Sequence, residues 1–137
     1  MGIPMIAQAV TTAFKHDLLR AAAGDAYKIA LYTSKADLSK DTTDYTTDGE
    51  VPTNGSYEAG GLPIELVLVE QGDRAWLQWA GEPRWARATI AARGALVYNT
   101  SRHNQAVLVL DFGEDINSRD GPFTIEFPDG PILLEFS

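Results

Sequence analysis

A chain of 137 residues, 45% of them hydrophobic, has the length of one domain and enough apolar material for a core without covalent staples. It contains no cysteine, which excludes disulfides and thiolate metal sites. Its formal charge of -8, from 19 acidic and 11 basic side chains, sets it against phosphate backbones and anionic membranes, so neither nucleic acid nor membrane is an expected partner.

At the N-terminus, Met1 to Met5 lacks the basic start and apolar run of a secretory signal. No stretch approaches the ~20 apolar residues of a membrane helix. A cytoplasmic location is therefore expected. Ile6, Val10, Phe14 and Leu18 recur every four residues, with Ala13 and Ala21 close to the same face. Gln8, Thr12, Lys15 and Arg20 fall mostly away from it. With Pro4 in the first turn and Gly24 at the stop, a helix is predicted over 5–22, its apolar stripe packed on the rest of the chain. His16 is expected on the helix surface.

From Ala26 the period becomes two. Tyr27, Ile29 and Leu31 alternate with Lys28, Ala30 and Tyr32, a strand pattern. A polar stretch over 34–61 follows, too long for an ordinary connection, and it reads as an extended arm that a monomer would hold poorly. Within it, Asp41, Asp44, Asp48, Gly49 and Glu50 invite a calcium reading. With Asp44 as first ligand, however, the twelfth position is Gly55, where an EF-hand loop requires a bidentate Glu. A solvated acidic loop is the better reading, and neither metal nor cofactor is expected.

Short strands are predicted after the arm: 64–70, a turn at Gln71-Gly72-Asp73, then 75–79, 87–92 and 95–99 on either side of Gly94. A polar turn over 99–104 leads into 106–112, followed by 122–127 and 132–136. The predicted fold is mostly β (α+β): one domain, an antiparallel sandwich or small barrel of seven to eight strands with one N-terminal helix. Gly94 is expected to mark a bend or bulge where chains approach closely, with backbone angles that other residues resist.

Catalytic signals are sparse. The two histidines, His16 and His103, lie in no nucleophile–base pattern, and G-x-S-x-G, H-E-x-x-H and phosphate-cradling glycine motifs are absent. No enzymatic activity is expected. Asn99-Thr100-Ser101 forms a glycosylation sequon but reads as a turn. Charge is segregated: Arg74, Arg84, Arg87, Arg93 and Arg102 cluster against Glu82, while 37–58 and 111–135 are acidic. These patches can pair within one chain or between copies. Trp76, Trp79 and Trp85 crowd a short segment, and strand geometry sends Trp76 and Trp79 to opposite faces.

The run from Trp85 through Ala88-Thr89-Ile90 and Ala92-Arg93-Gly94-Ala95 to Val97-Tyr98-Asn99 resembles a family of small tailed-bacteriophage structural proteins. Ala106 to Gly113 and Phe123 to Pro128 fit the same pattern. So do Ala9 to Lys15, Lys28 to Thr33, Tyr45 to Val51 and Tyr57 to Gly61, in matching order. Ile64 to Ala80 and the segment after Pro128 depart from it. The resemblance implies a virion component: a capsid decoration (cement) protein that binds the major capsid protein and stabilises the head shell. It would assemble in host cytoplasm as a homo-oligomer, commonly a trimer at a local symmetry axis. A tail or head–tail junction subunit is the alternative, followed by a carbohydrate-binding or glycan-degrading virion protein. Tyr45, Asp48, Glu50 and Tyr57 on the arm, with Trp76, Trp79, Arg84 and Arg87, are the expected interface residues.

Overall fold

The computed structural model describes residues 2, 7, 9–127, 130 and 132–136. Helix α1 (Thr12–Ala23) precedes strands β1 (Tyr27–Tyr32), β2 (Leu62–Ile64), β3 (Leu66–Gln71), β4 (Arg74–Trp79), β5 (Arg84–Asn99), β6 (Gln105–Thr124) and β7 (Ile132–Phe136). One sheet has the order β2-β1-β5-β6 and the other β3-β4-β7, with every pairing antiparallel. Among the described residues the chain is mostly β, with one helix and two antiparallel sheets, as its alternation and turn residues predicted.

The strands past residue 80 differ from expectation. The runs 87–92 and 95–99 are one strand, β5, and 106–112 and 122–124 both belong to β6. The middle of β6, Gly113 to Gly121, is polar and without alternation, so its local pattern carries no strand signal. Pairing with β5 recruits it. The register slips between Ala92 and Gly94, where Ala92 faces Ile116 and Gly94 faces Asp111. Residues 112–115 thus bulge opposite Arg93, whose guanidinium donates to the Gly113 carbonyl at 3.0 Å and fills the bend.

Gly94 lies beside that slip, but its φ is not in the left-handed region. Close approach is what demands a glycine: a Cβ there would sit 2.7 Å from the Leu110 carbonyl oxygen. The expected close approach at a bulge is present, and the expected unusual backbone angle is not. Gly94→Ala should cost about 2 kcal/mol as β5 and β6 are forced apart, and Gly94→Val more. Thermal melting checks this, and a parental melting temperature for either variant would contradict it.

Helix α1 begins later than predicted. Thr11 caps it, accepting from the Phe14 amide at 3.3 Å, and Ala9 and Val10 lie before the cap outside the helix. Pro4, Met5, Ile6 and Gln8 fall outside the described residues. The packed face is also not the predicted one. Leu19 is 1% exposed, and Ala22 and Ala23 lean on the same core, whereas Phe14 and Leu18 are 56% and 50% exposed. His16 shares the inward face beside Glu70, with only 12% of its side chain exposed, and is not the surface residue expected. The inward face follows a shorter stripe of Leu, His and Ala, on the side where α1 packs against β3 and β4.

The segment between β1 and β2 is the largest correction. It is not a loosely held arm. Ala36, Leu38 and Tyr45 cover Ala30, Tyr32, Leu96 and Tyr98 on the outer face of the four-stranded sheet. This explains why Ala30 and Tyr32, read as the outward half of an alternating strand, are fully buried. The segment also completes the edge of β1 beyond short β2. Val51 donates to the Leu31 carbonyl at 2.9 Å, and Thr33 donates to the Gly49 carbonyl at 2.8 Å. Gly61 ends it with φ +95°, and a Cβ there would stand 2.0 Å from the Ile29 carbonyl oxygen.

Candidate functional site

Three arm residues singled out in sequence, Tyr45, Glu50 and Tyr57, meet in one cluster. Both phenols donate to the Glu50 carboxylate, Tyr57 at 2.7 Å, and the Gly60 amide donates to it at 2.7 Å. The Tyr57 hydroxyl accepts from the Leu31 amide at 3.0 Å, so the carboxylate is wired to β1 through Tyr57. Around this knot, Tyr45 stacks on Tyr98 with centroids 4.6 Å apart. Tyr32 donates to the Thr46 carbonyl at 2.6 Å, and Tyr98 donates to the Gly60 carbonyl. Burial raises the ionisation of Tyr32, Tyr45, Tyr57 and Tyr98 above the ordinary phenol range, and the nearby Glu50 charge adds to it. A carboxylate saturated by donors and phenols locked neutral hold a chain in place. That arrangement anchors the arm.

Tyr57 is fully buried and packs against Trp85, itself 2% exposed and edge-on to Phe123. Trp79 is 3% exposed, meeting Tyr27 edge-on and Phe127 in a stack. Neither Tyr57 nor Trp79 has surface to offer a partner. Trp76 points the other way, as strand geometry required. It is half-buried, donates its ring N–H to the Gln78 side chain at 2.8 Å, and lies beneath the Arg74 guanidinium. Asp48, Arg84 and Arg87 are exposed. Asn99, the sequon residue, is 4% exposed and donates to Asp25 at 2.9 Å. Hydrogen bonds from Asn99 and Arg102 hold the Asp25 carboxyl below its usual range.

The arginine-rich segment pairs within the chain, and its partners are not the acids of the arm. Arg87 grips Asp120 at 2.7 Å, Arg93 reaches Asp115 at 3.8 Å, Arg102 meets Asp25 at 2.6 Å, and Arg74 meets Glu135. Apart from Asp25, whose side chain is mostly covered, the partners are exposed, and such pairs add little stability. They pin the long β5–β6 hairpin and the C-terminal strand in register. Among the described residues, no group of three or more His, Asp or Glu side chains is placed to hold a metal ion.

Two surfaces remain unsatisfied. The outer face of α1 presents Phe14 and Leu18, preceded by Val10 at 56% exposure. The outer edge of β6 has no strand neighbour among the described residues beyond the bridge from Asp44 to Gln105, and an open groove of about 640 Å³ runs along it. Sequence reading noticed the first residues but assigned them to the core, because a helical stripe does not say which side the sheets will take. It missed the second, since an unpaired edge exists only once strand order is fixed. Comparison of the chain with protein-family models, with curated proteins and with solved structures finds no match to any of them.

Proposed function

We propose that this chain is a non-enzymatic structural protein that decorates a phage head, binding the major capsid protein and stabilising the shell. The observation that carries the reading is the outer face of α1. A helix with Leu19 buried on one side and Phe14 and Leu18 half-exposed on the other has apolar surface for two neighbours, and its own sheets cover only one. The ordered likeness of the Trp85–Asn99 segment and its flanking motifs to small phage structural proteins supports the same role. A body braced by a buried tyrosine–glutamate knot resists deformation. Several copies around a symmetry axis would add weak grips into firm attachment.

The reading is tested on particles stripped of this protein and then given it back. The wild-type chain should sediment with the shells and restore their resistance to heat. The Phe14→Ser/Leu18→Ser double variant should fail at both while losing no more than about 2 kcal/mol of stability and staying folded at the temperature of the assay, because both side chains are half-exposed. Stripped shells that survive heat as well as decorated ones would refute cementing. Recovery of about a dozen copies or fewer per particle would assign the chain to the tail or head–tail junction instead.

A further inference from the structure

We infer that the free edge of β6 accepts an extended segment of a partner protein, one that alternates apolar side chains with lysine or arginine, and adds it to the four-stranded sheet. This goes beyond the shell-binding role and does not depend on it. Three features of the edge converge. The first is main-chain valence: β6 closes the order β2-β1-β5-β6, and past the bridge at Gln105 its outer side has no strand neighbour among the described residues. An unpaired strand of this length is a template for strand addition.

The second is the groove along that edge. Leu108, Leu110 and Phe112 lean on the core but are only partly covered, and the bend of β6 at its bulge brings Phe123 and Ile125 round to face them. The rings of Phe112 and Phe123 lie 6.4 Å apart across the bend. A strand laid against β6 would place alternate side chains over these residues and extend the core by one row.

The third is charge. Asp111 and Glu126 line the groove and Glu114 stands at the bulge, all exposed, with no cation of the described residues within 4.0 Å of them. The nearby arginines, Arg87 and Arg93, are engaged with Asp120 and Asp115. Basic side chains on the incoming strand would meet this rim. A second copy would not: its β6 brings Asp111, Glu114, Asp115 and Asp120 against Arg119 alone, so edge-to-edge pairing sets like charges together.

The probe is a synthetic eight-residue peptide of alternating valine and lysine, titrated against the full chain with backbone amides followed by NMR. Binding should perturb and protect amides of 107–124 and weaken with salt. A valine–glutamate peptide of equal length should bind at least about tenfold more weakly. Asp111→Asn combined with Glu126→Gln keeps the Asp111 acceptor for the Gly113 amide and should lower affinity for the lysine peptide by about fivefold without altering melting. No binding at about 1 mM would overturn the inference. So would protection at the edges of β2 or β3 instead, equal affinity for the two peptides, or an unchanged affinity in the double variant. Dimerisation of the chain through β6 would overturn it in favour of self-pairing.

Discussion

Replacing Glu50 with alanine should lower stability by about 3 kcal/mol and the melting temperature by about 10 °C. The change deletes the acceptor for two phenols and the Gly60 amide, and the donors left behind, Tyr57 fully buried and Tyr45 half-buried, are poorly reached by water. It also releases Tyr57, whose oxygen serves the Leu31 amide on β1. Glu50→Gln should cost less, since its carbonyl still accepts, but its NH2 confronts donors and the loss should remain above about 1 kcal/mol. Calorimetry measures both. Hydrogen exchange should show the arm over 34–61 opening in Glu50→Ala well before the β5–β6 hairpin. A variant that melts like wild type would mean that the arm is held by packing alone.

The second large effect is alkaline unfolding. Burial raises all five tyrosines above the ordinary phenol value near 10, and Tyr32 and Tyr57 have no exposed surface. Above that pH the unfolded chain releases phenol protons that the folded chain keeps. Stability is therefore full below pH 10 and falls as pH rises. Tyr32 and Tyr57 together withdraw about 3 kcal/mol by pH 11 and roughly 5–6 kcal/mol by pH 12, comparable to the whole stability of a small domain. The phenolate absorbance should stay flat past pH 10 and then rise in one step together with loss of circular dichroism. Gradual titration of folded protein around pH 10 would contradict the buried cluster.

Much of the fold was legible because strands and turns are local events. Alternation marked β1, β3 and β4, and Gln71-Gly72-Asp73 marked the turn between β3 and β4. The runs 87–92 and 95–99 were recognised as strand-forming but as two strands, and Trp85, ahead of them, proved to be a core residue of the one strand they form. The length of β6 was hidden, because a polar run such as Asp115 to Asp120 becomes strand only through its partner. The arm illustrates the same divide. Tyr45, Asp48, Glu50 and Tyr57 were read as outward contacts; the spacing of polar residues does not reveal that the two tyrosines converge on the Glu50 carboxylate while Asp48 stays exposed.

By itself, then, the sequence determined the class of fold, the positions of most strands, the absence of thiol chemistry and the acidic surface. Each of these follows from composition or from periods of two to four residues. Only the tertiary structure decided which side of α1 faces the core, that the arm is a lid over the outer sheet face, that Arg74, Arg87 and Arg93 pair with the tail, and that β6 ends the sheet with an edge bare of any strand among the described residues. Those outcomes depend on which distant segments compete for the same apolar surface and the same backbone donors. That competition is settled by packing the whole chain at once.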